Sequence, residues 1–324
     1  MNIPLQPLNS EAQSAHQWHN TLHTWLMIIG SALLMALIAY SVFGGSGVIW
    51  AMVLTAFGLW QAGRVSPKMV LKLYKARELT AEEVPQLHQL MGELTKRADL
   101  PARPRLYYVP SQMMNAFAVG KTNDSAIAVT DGLIRNLNLR QLAGVLAHEI
   151  SHIRNGDLTV MALGDVLSRL TGTLSSVGLL IGVPAAILTN GGVVPWVAIA
   201  ALVAAPTIGG LLQLALSRTR EYDADLDAAG LTGDPEGLAS ALQTLEHKQG
   251  SMWEQLVLPG SRSPEPSIMR SHPKTPDRVK RLLSLRTDTP PIVTRPDMPL
   301  RPTRSIVPPV RRPRINIGRM GMWY

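Results

Sequence analysis

The chain contains no cysteine, which excludes a disulfide framework, a thiolate metal site and a cysteine nucleophile, and suits a domain facing a reducing compartment. Any metal site must therefore be built from His, Asp or Glu. Aromatic residues are scarce, at 5%. None is interleaved with the arginines near the C-terminus, so the rings on which bases stack are missing there and nucleic acid is not an expected partner. Lys and Arg are absent from residues 1 to 23. A secretory signal peptide opens with positive charge, and no cleavage motif precedes the second apolar run, so that reading is set aside.

What is present begins with charge in one place. Of the formal net charge of +8, six charges come from residues 286 to 324, which hold eight Arg against two Asp. The rest of the chain is nearly neutral. The same segment carries Pro290, Pro291, Pro296, Pro299, Pro302, Pro308, Pro309 and Pro313, leaving no window for a helix or a central strand, and reads as a disordered tail. A solvated linker and an attraction to anionic lipid headgroups are both open for it. The 324 residues give room for one or two domains with a sizeable core.

Four apolar runs follow. Thr24 to Phe43 is free of charge and long enough to cross a bilayer, and Val48 to Ala62 follows after Gly44-Gly45-Ser46-Gly47, so the two form a hairpin. Leu170 to Leu188 and Val193 to Leu216 flank the turn Thr189-Asn190-Gly191-Gly192 and form a second. Pro184 and Pro206 interrupt this pair, leaving kinked, partly buried or re-entrant paths open. Arg64, Lys68, Lys72, Lys75 and Arg77 crowd after the first hairpin, and Arg218 and Arg220 after the second. The turns carry neither Lys nor Arg, so the positive-inside rule puts segments 64–169 and 217–324 in the cytoplasm.

The organisation expected is an N-terminal extension (1–23), a membrane hairpin (24–63), a first catalytic part (64–169), a second hairpin (170–216), a second catalytic part (217–286) and the tail (287–324). The fold class is mainly α (α+β), with about four transmembrane helices and a small antiparallel sheet. Thr80 and Glu83 make a capping box ahead of Val84, Leu87, Met91, Leu94 and Ala98 at helical spacing. His88 on that helix has no second ligand one turn away and takes no role. Strands are expected over Arg105 to Val109, Ala116 to Gly120 and Ala126 to Thr130. The next helix opens at Asn138 with Gln141 three residues on, carries Leu142, Val145, Leu146, Ile150 and Ile153, and stops at Asn155-Gly156.

That helix carries the chemistry. In His148-Glu149-Ile150-Ser151-His152 the two imidazoles lie one turn apart on one face and can reach a single metal ion. A tetrahedral zinc site with three protein ligands keeps one position for water, and Glu149 is placed to take that water's proton. The third ligand must come from elsewhere. Glu221 in Ser217 to Asp225 is the best candidate, yet by spacing alone this is equally an exposed helix with Arg218 pairing to Glu221. Glu246 and His247 are further candidates without a recognisable pattern.

These motifs, taken in order, resemble the HtpX-type membrane metalloproteases, relatives of the prenyl-protein CAAX endopeptidases. The resemblance covers roughly residues 20 to 286. It rests on Asn115-Ala116-Phe117-Ala118, on His148 to His152 followed by Asn155-Gly156-Asp157, on Ser217 through Asp225, and on Ser271-His272-Pro273 with Arg278. It implies a zincin-like catalytic domain with one zinc ion per chain, Glu221 as its third ligand, and proteolysis of membrane proteins in misfolded or damaged states at a bacterial inner membrane. It implies that Asp157 and Asp225 orient the histidines, a helix cap being the other reading of Asp157. Asn115, Ala116 and Phe117 would lie on the strand that an extended substrate pairs with. His272 is either a stabiliser of the developing oxyanion or a cap for the helix that Pro276 begins. A prenyl-protein endopeptidase and a non-proteolytic membrane scaffold are the alternative functions; four spans look too few to enclose a lipid chain. The N-terminal extension and the Pro/Arg tail fall outside the family pattern.

Overall fold

The computed structural model describes residues 6–7, 10–62, 67–189, 192, 194–256, 275–286 and 289–293. His272 and the tail beyond residue 293 lie outside the described residues, as does Arg64. After the two-residue strand β1 (Gln6–Pro7) comes the long helix α1 (Ser10–Ala62). It is broken at Gly44, whose φ of 61° and ψ of −153° are open to glycine and costly for any residue with a Cβ. Beyond the break the chain folds back: Thr55 Oγ1 lies 3.6 Å from Met35 Sδ, and Ala39 and Ala51 are buried in one cluster with Leu167.

Then come α2 (Pro67–Leu73), β2 (Arg77–Glu78) and α3 (Pro85–Arg97). The capping box at Thr80 closes a turn just ahead of α3. Glu83 Oε2 accepts from Thr80 N at 3.1 Å, but the helix starts at Pro85, whose fixed φ and missing N–H suit a first helical position. Leu87, Met91 and Leu94 face the core as their spacing requires.

Strands β3 (Arg105–Val109), β4 (Ala116–Lys121) and β5 (Asp124–Thr130) join β2 in one sheet of order β2-β3-β5-β4. Here the structure corrects the sequence reading. The β4–β5 hairpin is antiparallel, but β3 pairs with β5 in parallel, Leu106 opposite Ile127, so the sheet is mixed. The physical reason lies in β5, where Ala126, Ile127, Ala128 and Val129 are all fully buried. A continuous apolar run fits a central strand covered on both faces, and the tight turn at residues 122–123 already assigns one edge of it to β4.

Helix α4 (Asp131–Asn136) leads into α5 (Leu139–Arg154), whose start is the expected reciprocal box: Gln141 N donates to Asn138 Oδ1 at 2.9 Å, and Asn138 N donates to Gln141 Oε1 at 3.1 Å. It ends at Asn155, and Gly156 takes a φ of 69° before α6 (Asp157–Val177). A π-helical turn at Gly178–Gly182 precedes α7 (Val183–Thr189); widening the helix there accommodates the missing N–H and the ring of Pro184. Helix α8 (Trp196–Thr232) runs unbroken through Pro206. It is followed by α9 (Pro235–Leu256), α10 (Thr275–Leu283) and β6 (Leu285–Arg286), which pairs in parallel with β1.

Two zones result. Among the described residues three helices are long and apolar enough to cross a membrane, Thr24–Ser41, Asp157–Leu188 and Trp196–Thr232, and Phe43–Phe57 is a shorter apolar helix. Their outer faces expose Leu33, Leu37, Trp50, Phe57, Leu180 and Val197, a surface that only an apolar solvent stabilises. The second zone buries Leu87, Met91, Ile127, Leu142, Leu146 and Ile150 between α3, the sheet, α5 and α9. At Gly144 a Cβ would lie 2.8 Å from Leu238 Cα, so glycine is what lets α9 press on α5 and hold it in place. Helix α8 bridges the zones, spanning roughly 55 Å at 1.5 Å per residue.

Candidate metal centre

The centre is built where α5 crosses α8. Residues 148 and 152 are one turn apart, so both imidazoles leave the same face of α5, and Glu221 approaches from α8. His148 Nε2 and His152 Nε2 are 3.2 Å apart, and Glu221 Oε2 and Oε1 lie 3.3 and 3.6 Å from them respectively. Ligand atoms around a tetrahedral zinc ion, at about 2.0–2.2 Å from the metal, stand roughly 3.3–3.6 Å from one another. The donor set and its spacing fit that ion. Among the described residues this trio is the one group of His, Asp and Glu close enough to hold a metal. Glu221 is 1% exposed, so the exposed-helix reading with Arg218 does not hold; Arg218, Glu246 and His247 are all exposed.

Each imidazole has a carboxylate behind it, close to its other nitrogen. His148 Nδ1 lies 3.1 Å from Asp225 Oδ1, and Asp225 is held in turn by Arg278 of α10, whose Nε and Nη2 donate at 2.7 and 2.6 Å. The same guanidinium comes within 3.4 Å of Glu221 Oε2. His152 Nδ1 lies 2.9 Å from Asp157 Oδ2. Asp157 Oδ1 accepts from Arg220 at 2.7 Å, and Arg220 reaches on to Thr24 Oγ1 of α1 at 2.6 Å. Asp157 is the first residue of α6, one past the cap position that Gly156 occupies. Its carboxylate favours that helix's N-terminal dipole while serving His152.

Glu149, which lies between the two histidines in sequence, is buried and reaches the sheet. Its Oε2 accepts from the backbone N–H of Ala118 in β4 at 2.9 Å. Since Ala118 N–H turns to Glu149, the backbone of Ala116, Ala118 and Gly120 faces away from β5, and this outer edge of the sheet runs beside the metal centre. Phe117 is on the opposite face and stacks against Tyr74 with ring centres 5.0 Å apart. Asn115 is tied by its backbone to Thr130, whose Oγ1 accepts from Asn115 N at 2.9 Å. His88 Nε2 lies 2.9 Å from Leu79 O, outside the centre.

The electrostatics favour a cation. Burial by itself would lower both imidazole pKa values, but Asp225 and Glu221 outweigh it and raise that of His148. Asp157 and Glu221 do the same for His152, which is pushed up to about 10. Two imidazoles facing three carboxylates attract protons and metal to the same place, so metal uptake displaces protons.

Sequence reasoning gave Arg220, Arg278, Thr24, Ser151 and Asp227 no part in supporting the metal centre. The last two form a further clamp between α5 and α8: Ser151 Oγ donates to Asp227 Oδ2 at 2.9 Å, and Asn155 Nδ2 donates to the same oxygen at 2.8 Å. The adjacency of Arg220 to Glu221 and the place of Arg278 after His272-Pro273 were the available signals.

Comparison with known proteins converges on this centre. The family model for peptidase family M48 matches residues 81–286. A protease HtpX homolog of Acaryochloris marina is 37% identical over 273 residues, covering 79% of this chain and 90% of the relative. One of Desulforapulum autotrophicum is 32% identical over 280 residues, covering 81% and 89%. Among solved structures, the crystal structure of S. mikatae Ste24p shares the fold with a TM-score of 0.51 at 20% identity, over 82% of this chain and 66% of that one. The apolar helices, the His-His-Glu trio and these relatives lead to one statement: the chain belongs to peptidase family M48 and is a membrane-associated zinc metalloprotease.

Proposed function

We propose that this enzyme is an endopeptidase of the bacterial inner membrane, multi-pass and with its catalytic unit facing the cytoplasm, and that it clears misfolded or damaged membrane proteins under stress. The observation that carries the proposal is the meeting, at one end of the apolar helices, of His148, His152 and Glu221 with Glu149 beside them. Zinc held by the trio would supply a Lewis acid that polarises the scissile carbonyl and lowers the pKa of the attacking water.

The remaining chemistry belongs to the chain. Glu149 takes the proton from that water and delivers it to the departing amine. Asp225 and Asp157 hold the two imidazoles so that their Nε2 atoms face inward. An extended segment of substrate adds to the outer edge of β4 at Asn115, Ala116 and Phe117, with Ala116 and the carbonyl of Ala118 offering the backbone groups and Phe117 anchoring the strand from behind. Such an edge reads backbone rather than side chains, which suits unfolded segments of many sequences. His272 remains the candidate for steadying the oxyanion.

Enzyme reconstituted in vesicles with an unfolded membrane protein tests the reading. Glu149→Gln should keep its zinc while cleavage falls by about 10²–10⁴-fold; undiminished cleavage would remove Glu149 from the mechanism. Offering a prenylated CAAX peptide beside the unfolded protein separates this reading from the prenyl-protein endopeptidase, which selective cleavage of the peptide would favour.

A further inference from the structure

Helix α2 combines features that the catalytic account does not use. Leu71 is buried, and Val70 and Tyr74 pack beside it onto Val109, Phe117, Ala126 and Ala128 of the sheet. This seam fixes the helix's rotation. Met69 and Leu73, one turn apart on the face opposite Leu71, are 69% and 72% exposed. Lys68 and Lys72, also one turn apart and exposed, flank that apolar ridge.

The end of α2 is closed at a cost. Ala76 N donates to Leu71 O at 2.9 Å and Lys75 N to Lys72 O at 3.0 Å, a closure in which the residue at position 75 must take a positive φ, here 52°. Glycine is the usual occupant, and a residue with a Cβ gives up stability there. A third exposed lysine therefore stands beside the ridge where the backbone alone would select Gly. Only residues 63–66 separate α2 from the end of α1, where Phe57 and Trp60 are exposed on the lipid-facing side. In sequence the ridge thus follows closely on the exposed apolar end of α1.

We propose that α2 is a membrane-surface contact: Met69 and Leu73 enter the acyl-chain boundary of the adjacent leaflet while Lys68, Lys72 and Lys75 engage the headgroups of anionic lipids. The pattern is that of an interfacial helix, apolar side chains downward and basic ones at headgroup level. Because the other face of α2 is packed on Phe117, the contact also sets β4 at a fixed height above the bilayer, where a segment drawn from a membrane protein would arrive.

The absence of cysteine makes the test clean, since a single introduced thiol can carry a nitroxide label. Met69→Cys, Leu73→Cys, Leu37→Cys and the exposed turn residue Glu82→Cys are labelled in full-length protein. Each is reconstituted in phosphatidylcholine vesicles with and without phosphatidylglycerol, and collision with oxygen is compared with collision with a water-soluble nickel chelate. Labels at 69 and 73 should favour oxygen and that at 82 nickel. Nickel access at 69 should fall at least about twofold when phosphatidylglycerol is added, and that fall should vanish in the triple variant Lys68→Gln, Lys72→Gln, Lys75→Gly. The glycine is expected to keep or raise thermal stability, so a loss of lipid contact would not reflect unfolding.

The inference is overturned if labels at 69 and 73 are as open to nickel as that at 82, or if the lysine variant matches the wild type in anionic vesicles. It is also overturned if the labels show spin–spin broadening that disappears on dilution with unlabelled protein, which would make the ridge a contact between copies. Leu37 separates this inference from the membrane reading on which it rests. Nickel access at 37 would sink both, whereas oxygen access at 37 with nickel access at 69 would sink only the role of α2.

Discussion

The two imidazoles of the metal centre are held by the same device from different parts of the molecule. Behind His148, Asp225 is locked by Arg278 from α10, inside the globular zone. Behind His152, Asp157 is locked by Arg220, which reaches Thr24 on the first apolar helix. One arm therefore depends on the fold of the catalytic unit alone, and the other on how that unit sits against the membrane helices. In each case the carboxylate is needed twice: it fixes which ring nitrogen faces the metal, and it needs an arginine because a buried carboxylate without a partner is costly.

Breaking the globular arm at its arginine should have the largest effect. Arg278→Met leaves Asp225 buried without its bidentate partner and should lower unfolding stability by about 3–5 kcal/mol, seen as a fall in the denaturation midpoint. Arg220→Met should cost less, since Arg220 donates to Asp157 through a single bond whereas Arg278 holds Asp225 through two. Equal losses would mean that the two arms do not differ in anchorage.

Next in size are the carboxylates. Asp225→Asn and Asp157→Asn should each weaken zinc binding by about 10–100-fold, measured by competition with a chromophoric chelator. Zinc affinity should also rise with pH, because protons held on His148 and His152 compete with the metal. With His152 raised to about 10, proton release on zinc binding should persist above pH 7, and calorimetry in buffers of different ionisation heat would detect it. A release that is absent at pH 8 would show that the carboxylates do not hold His152 protonated.

The smallest effect sharpens the comparison most. Thr24→Val removes one hydrogen bond to Arg220 and should cost about 1 kcal/mol. It should do so only through the His152 arm, so combining it with Arg220→Met should add little, whereas combining it with Arg278→Met should be additive.

Much of the globular zone was legible because its signals are local. The box at Asn138 and Gln141, the helical spacing through Ile153 and the stop at Gly156 depend on neighbours within a turn or two, and α5 formed as read. What failed was non-local. The parallel pairing of β3 with β5 joins segments that the chain itself separates by β4, and no hairpin signal marks it. The helix of Thr80 began four residues late because the box and the proline at position 85 act in succession rather than together.

Glu221 shows the same divide at the site. Its i,i+4 relation to Asp225 fits an exposed face as well as a buried one; only the crossing of α8 over α5 decides, and that crossing depends on contacts spread over both zones. Arg220 and Arg278 stood out only as members of motifs, and nothing local says that they are drawn inside to meet carboxylates.

The zinc content of Glu221→Ala, purified beside the wild type without chelators and read by elemental analysis, bears most directly on the centre. The wild type should carry one equivalent per chain and the variant almost none, with its secondary structure retained. A variant that keeps a full equivalent at wild-type affinity would contradict the assignment of Glu221 and, with it, the geometry on which the proposed hydrolysis rests.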